Sequence, residues 1–149
     1  MLAGKIKKTS TRSLWIEVLD GFQVNLPYIT RHELRAITEA SQEEKFDVKE
    51  QTIRRVRSEE LFAEQLAKRI HGWKGLTGRV LRALVEMNEA DYPPEEEQIP
   101  FTVEDCKELL LNSLDFQLKV EQVVYNLQVF EQARRAALKN GSAPSHAEG

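Results

Sequence analysis

The residues with the most chemical potential lie in one run, RIHGWKGLTGRVL, residues 69 to 81. Three glycines (Gly72, Gly75 and Gly78) together with Lys74 suggest a phosphate loop, in which glycines let backbone amides surround an anion that a lysine neutralises. The spacing argues against it. A P-loop needs G-x-x-x-x-G-K-[ST], whereas these glycines recur every third residue, Lys74 falls between the first two, and no strand is expected to feed into them. The G-x-G-x-x-G pattern is missing too. The plainer reading is a structural elbow. Gly72 stops a helix, Trp73 plugs the corner and Gly75 turns the chain back, because a turn needs permissive φ angles and no ligand.

Other reactive residue types are scattered. His32, His71 and His146 lie far apart and none shows the i, i+4 pairing of a zinc-binding helix. His71 is more simply a cation at a helix end. Cys106, the single cysteine, falls one turn inside an expected helix start, a place that can lower a thiol pKa, but Glu104, Asp105 and Glu108 surround it with negative charge. One cysteine forms no internal disulfide, which fits a reducing compartment. Glu95, Glu96 and Glu97 read as a solvated run, since a cation site wants alternating ligands on a rigid loop. No serine sits in G-x-S-x-G. The expectation is therefore a protein with no catalytic residue, no cofactor and no metal.

Basic clusters occur at Lys5, Lys7 and Lys8, at Arg54, Arg55 and Arg57, and at Arg134 and Arg135. Acids stand beside two of them (Glu43, Glu44, Glu59, Glu60 and Glu131), so solvated faces are the simpler account. The net charge of −3 also speaks against a general nucleic-acid binder, which draws most of its affinity from phosphate contacts.

The elements that carry these residues can be read from period and punctuation. At 149 residues, 41% hydrophobic and 30% charged, the chain suits one globular domain. No apolar run approaches the ~18 residues of a membrane span, and the basic start lacks the apolar stretch of a secretory signal. Residues 1–12 have no period and read as a mobile arm. Residues 13–28 read as a β-hairpin: Leu14 to Leu19 is rich in β-branched and aromatic residues, and Phe22, Val24, Leu26 and Tyr28 alternate with polar residues. Asp20-Gly21 between them is a strong tight-turn signal.

A helical part over 30–140 follows. Thr30 and Glu33 form a capping box for a helix over about Arg31 to Ala40. Residues 42–57 suggest a small hairpin or an irregular excursion. Ser58 caps a helix with the stripe Leu61, Phe62, Leu66 and Ile70, and Gly72 is placed as its C-cap. Thr77 caps a shorter helix carrying Val80, Leu81, Leu84 and Val85. Residues 86–100 read as an acidic linker stiffened by Pro93-Pro94. Thr102 caps a helix with Leu109 and Leu110 on its core side. Asp115 is placed as the cap of one long last helix, ending at Lys139-Asn140-Gly141. Its stripe is Phe116, Val120, Val123, Val124, Leu127 and Phe130. Residues 141–149 have the composition of a disordered tail. The fold class is α+β and mostly α, with an N-terminal hairpin and about five helices around one core.

The order of these pieces resembles the tail assembly chaperones of long-tailed bacteriophages. The resemblance rests on FQVNLPYITRHEL, then ELFAEQLAKRIHGWKGLTGRVLRAL with its Gly-Trp-x-Gly elbow, an acidic Pro-containing linker, IPFTVEDCKELLLNSLDFQLKV, and a last helix ending FEQARRAALKN, together about residues 22 to 139. The chain departs from it at Lys74, where an acid is expected in many relatives, and in its N-terminal hairpin strand. The resemblance implies a non-enzymatic binding protein in the cytoplasm of a bacterial host, encoded by a phage or prophage and missing from the mature virion. Its partners would be the tape measure protein, which it keeps soluble, and the tail tube protein, which it helps recruit. Many families make a longer frameshifted form, and self-association is open.

On this reading Trp73 is an architectural plug and partner binding falls to the last helix, at Val120, Val123, Val124, Leu127 and Phe130. The competing reading is that this stripe packs into the chain's own core, the usual fate of an amphipathic helix. Two other classes stay open. One is a different phage structural or connector protein, or a small nucleic-acid-binding regulator using Arg54, Arg55 and Arg57. The other is an enzyme whose residues meet only in the fold.

Overall fold

A computed structural model describes residues 1–139. Strands β1 (Ser13–Leu19) and β2 (Phe22–Pro27) form the expected hairpin, with Leu14 opposite Leu26 and Ile16 opposite Val24. Asp20 and Gly21 make its turn, both at positive φ (47° and 84°), as the right-handed twist of a tight hairpin requires. Helix α1 (Arg31–Ala40) starts at the expected capping box: the Thr30 hydroxyl accepts from the Glu33 N–H, and the Glu33 carboxylate accepts from the Thr30 N–H. Residues 42–57 resolve into a second hairpin, β3 (Gln42–Asp47) and β4 (Thr52–Arg57), which forms its own two-stranded sheet.

The helices α2 (Glu59–Ala67), α3 (Gly78–Leu84), α4 (Val103–Asn112), α5 (Leu114–Val124) and α6 (Leu127–Lys139) follow, with strand β5 (Gly72–Lys74) between α2 and α3. The chain is α+β and mostly α, with six α-helices among the described residues. Its buried apolar side chains form one cluster, to which β1, β2, β5 and all six helices contribute. Helix α5 packs on β2 and α6 on β1. The disordered-tail expectation for 141–149, and Asn140-Gly141 at the end of the last helix, lie outside the described residues.

Several expectations need correction. Gly72 does not cap α2. That helix ends at Ala67, its last turn tightens through Arg69 N–H to Leu66 C=O and Ile70 N–H to Ala67 C=O, and the His71 N–H then crosses to the Asn25 carbonyl. Gly72 and Trp73 therefore belong to a third strand, not to an elbow: β5 runs antiparallel to β2, with Trp73 opposite Val24 and Gly72 opposite Asn25. The turn comes afterwards, at Gly75 (φ 78°), where an added Cβ would run into the Gly21 carbonyl of the β1–β2 turn.

The linker over 86–100 is not loose. It is a strap laid against residues 73–79. The Gly78 and Arg79 N–H groups donate to the carbonyls of Glu97 and Glu95, and the Ile99 N–H donates to the Leu76 carbonyl at 2.7 Å. Arg79 also pairs with the carboxylates of Glu95 and Glu96. Gly78 is required by proximity, since a Cβ there would meet the carbonyl oxygens of Pro93 and Pro94.

The last long helix is two helices. Ser113, not Asp115, caps α5, its hydroxyl accepting from the Phe116 N–H. The Val124 carbonyl is taken by the Ile29 N–H at 2.9 Å, from the loop before α1. Asn126 then caps α6, its side chain accepting from the Val129 N–H. The arm over 1–12 is tied down in its second half. The Thr30 hydroxyl donates to the Lys8 carbonyl at 2.6 Å, the Ser10 N–H donates to Glu33, and Arg12 pairs with Glu131 at 3.3 Å.

Trp73 is where sheet, strap and helices meet. Its indole N–H donates to the Ile99 carbonyl at 2.9 Å. Its ring stands edge-on to Phe101 (4.9 Å), Phe22 (5.7 Å) and Phe116 (6.5 Å). Trp73→Phe keeps an aromatic ring but leaves the Ile99 carbonyl without its donor. The expected loss is about 1–3 kcal/mol in chemical denaturation, with faster hydrogen exchange first at the Ile99 and Gly78 amides. Trp73→Ala should cost about 3–5 kcal/mol. Unchanged exchange at the strap in Trp73→Phe would show that the indole does not hold it.

Candidate partner-binding surfaces

The residues singled out for chemistry do not converge. Cys106 is fully buried in α4, and burial pushes its thiol from the ordinary 9.0 up to about 12. The helix start does not offset the lost solvation, so the group is a core side chain and no nucleophile. His32 and His71 are exposed at separate places. Among the described residues no three His, Cys, Asp or Glu side chains are grouped as metal ligands would be. No described helix is long and apolar enough to cross a membrane.

The proposed partner face on the last helix is corrected by its burial. Val120, Val124 and Phe130 have no exposed surface and Val123 is 4% exposed. Helix α5, which carries the three valines, packs on β2, and Phe130 of α6 rests against Tyr28 at 5.8 Å. Leu127 is exposed, because the break at Tyr125-Asn126 turns it away from the stripe. The same helix carries a second, outward set of leucines. Leu114 and Leu118, one turn apart, are 66% and 57% exposed, and Leu111 at the end of α4 is exposed as well. Residues four apart share a helix face, so α5 is apolar on two sides.

A second surface lies above Trp73. A groove of about 680 Å³ opens between α3, the strap and α4. Its floor is apolar, built from Trp73, Leu76, Leu81, Val85, Ile99 and Leu109. Four carboxylates line it: Glu86 and Asp91 from the strap side, Asp105 and Glu108 from α4. All four are exposed, and no lysine, arginine or histidine is among the lining residues. The cations on the flanking helices are engaged elsewhere. Arg82 pairs with Glu89 at 2.7 Å and lies over the Tyr92 ring, while Lys107 pairs with Glu60 at 3.0 Å across to α2. The sequence held the acids in view only as neighbours of Cys106 or as linker charge. It gave no sign that the strap would bring Glu86 and Asp91 opposite α4.

The basic clusters are divided by ion pairing. Arg54 pairs with Asp47, and Arg57 pairs with Glu59 while lying 3.7 Å over the Phe62 ring. Arg134 pairs with Glu131. Lys74, the departure from the expected acid, sits 4.3 Å over the Trp15 ring on the outer side of the sheet, a place where a carboxylate would be repelled by the ring face.

Comparison with protein-family models, with curated proteins and with solved structures gives no match.

The buried thiol makes a pH prediction. Its folded pKa lies above its unfolded value, so its contribution to stability is fully present below about pH 9 and is lost as pH rises toward 12. The difference in unfolding free energy between the wild type and Cys106→Ala should be constant from pH 6 to 8.5. It should then shrink at about 1.4 kcal/mol per pH unit through pH 9.5–11. A difference that stays flat across that range would mean the thiol is solvated.

Proposed function

We propose that this protein is a non-enzymatic tail assembly chaperone of a long-tailed bacteriophage or prophage. It binds the tape measure protein and keeps it soluble while tail tube subunits are recruited, in the host cytoplasm, and it is not carried into the mature virion. The order of motifs along residues 22 to 139 supports the family. The observation that carries the binding function is the outward face of α5. A helix that already buries Phe116, Val120, Val123 and Val124 still presents Leu114 and Leu118 to solvent. Leucines exposed at one-turn spacing fit a partner's amphipathic helix, read through positions three and four apart. A tape measure protein is rich in such helices. The stripe inside the core plays the supporting part: it fixes the orientation of α5 so that the leucines face outward.

Co-expression with the longest coiled-coil open reading frame of the same genome tests this. The partner should be soluble only in the presence of this protein and should co-elute with it. Leu114→Asp with Leu118→Asp should abolish co-elution while the thermal transition stays within a few degrees of the wild type, since neither side chain contributes to the core. A partner that stays insoluble in both cases removes the chaperone reading. Co-elution that survives the double substitution moves the interface off α5.

A further inference from the structure

We propose that the acidic groove above Trp73 is the seat of the N-terminal arm of a second copy of this chain. The groove has an apolar floor, four carboxylates and no cation in its lining. Among the described residues none of Glu86, Asp91, Asp105 and Glu108 is in an ion pair. Such a surface fits a short segment that brings aliphatic side chains flanked by positive charge, and the chain carries one. Residues 1–12, MLAGKIKKTSTR, contain Lys5, Lys7, Lys8 and Arg12 and no acid. Leu2 and Ile6 are 72% and 67% exposed, so the arm finds no burial for its aliphatic residues on its own body.

The anchoring of the arm makes it a projecting segment. It is fastened from Lys8 onward, through Thr30, Glu33 and Glu131. Seven residues beyond that anchor can extend about 23 Å. The arm does not occupy the groove of its own chain: none of residues 1–12 is among the groove's lining residues, and Leu2 and Ile6 stay exposed. In the groove of a neighbouring copy, Leu2 and Ile6 cover the apolar floor, and the lysines meet the four carboxylates, an arrangement that sets register and gives salt-dependent association. Each copy carries one arm and one groove, so a pair closes by reciprocal exchange or copies join head to tail. The apolar content of the arm favours a protein groove over nucleic acid, whose phosphates would use the lysines and leave Leu2 and Ile6 in water. The inference does not rest on the chaperone reading, because it concerns contacts between copies and uses neither Leu114 nor Leu118.

Sedimentation equilibrium of the full chain at 50 and 500 mM NaCl tests it. The wild type should exceed its monomer mass of 17.2 kDa at low salt and approach it at high salt. Lys5→Glu with Lys7→Glu and Lys8→Glu in one variant, and Asp105→Lys with Glu108→Lys in another, should each weaken association about tenfold or more. An equimolar mixture of the two should associate again, since the unchanged arm of the groove variant then meets the unchanged groove of the arm variant. Ile6→Asp should weaken association without changing the thermal transition. The proposal is overturned by a monomer at every concentration and salt, by association insensitive to the groove variant, or by no recovery in the mixture. Carboxyl-to-amine cross-links in a mixture of light and heavy isotope-labelled protein separate the remaining case. Mixed-isotope links from Lys5 or Lys7 to Asp105 or Glu108 support it, and links within single copies overturn it. Binding of the arm to anionic vesicles or duplex DNA, with self-association missing, would assign the arm to those partners instead.

Discussion

The Trp73 indole satisfies two demands that pull in different directions, and the architecture around it follows from meeting both. Its ring is large enough to fill the space between the sheet and α5, where it stands edge-on to Phe22 and Phe116. Its N–H is a donor that must be satisfied where it is buried. The Ile99 carbonyl satisfies it from a segment 26 residues further along the chain. That bond joins the backbone bonds to residues 76–79 in holding the strap across β5 and α3, and Phe101, next after the strap, packs back on the same indole at 4.9 Å. The glycines serve this closure. Gly75 lets the chain turn against the β1–β2 turn, and Gly78 lets Pro93 and Pro94 approach the start of α3. The glycine-rich run is thus a packing device around an aromatic anchor.

Local chemistry made much of the fold legible. The Asp20-Gly21 turn, the Thr30–Glu33 capping box and the caps at Ser58, Thr77 and Thr102 each act within a few residues, so the sequence carries them in full. What was hidden depends on distant partners. Strand β5 is three residues long, too short to show a period, and it is a strand only because β2 offers it an open edge. The break between α5 and α6 falls inside an unbroken apolar rhythm. It is set by the Ile29 N–H claiming the Val124 carbonyl, together with Asn126, whose cap could have been suspected from its residue type. The strap looked like a linker because Pro93-Pro94 and three glutamates dominate its composition, while its order comes from backbone bonds to residues 76–79.

The candidate surfaces were less legible than the fold, for a related reason. A periodic apolar stripe shows that a helix has a buried side but not which protein it is buried in. Here Val120, Val123, Val124 and Phe130 are consumed by the chain's own core, and the residues left outside, Leu114 and Leu118, are not among the positions that the periodic reading selected. The groove was invisible because its acids come from two segments brought together by the packing of the strap against residues 73–79.

That dependence ties stability to surface chemistry. The groove's floor is made of side chains that also hold the strap, so its shape is as rigid as the core beneath it. Glu86 and Asp91 are carried by a segment held through hydrogen bonds, ion pairs and ring contacts, and they line the same groove as Asp105 and Glu108 of α4. Four carboxylates line one concave surface with no cation in its lining, and like charges that water screens interact more strongly once an occupant displaces that water. A fold that only needed closure could have placed lysines there at no cost to packing, because all four side chains are exposed. An occupant that supplies positive charge relieves that repulsion, and it lowers the free energy of the strapped state relative to the opened one. On the proposal made above, binding at the groove is coupled to closure of the strap over Trp73, because the strap carries two of the four carboxylates that the occupant meets.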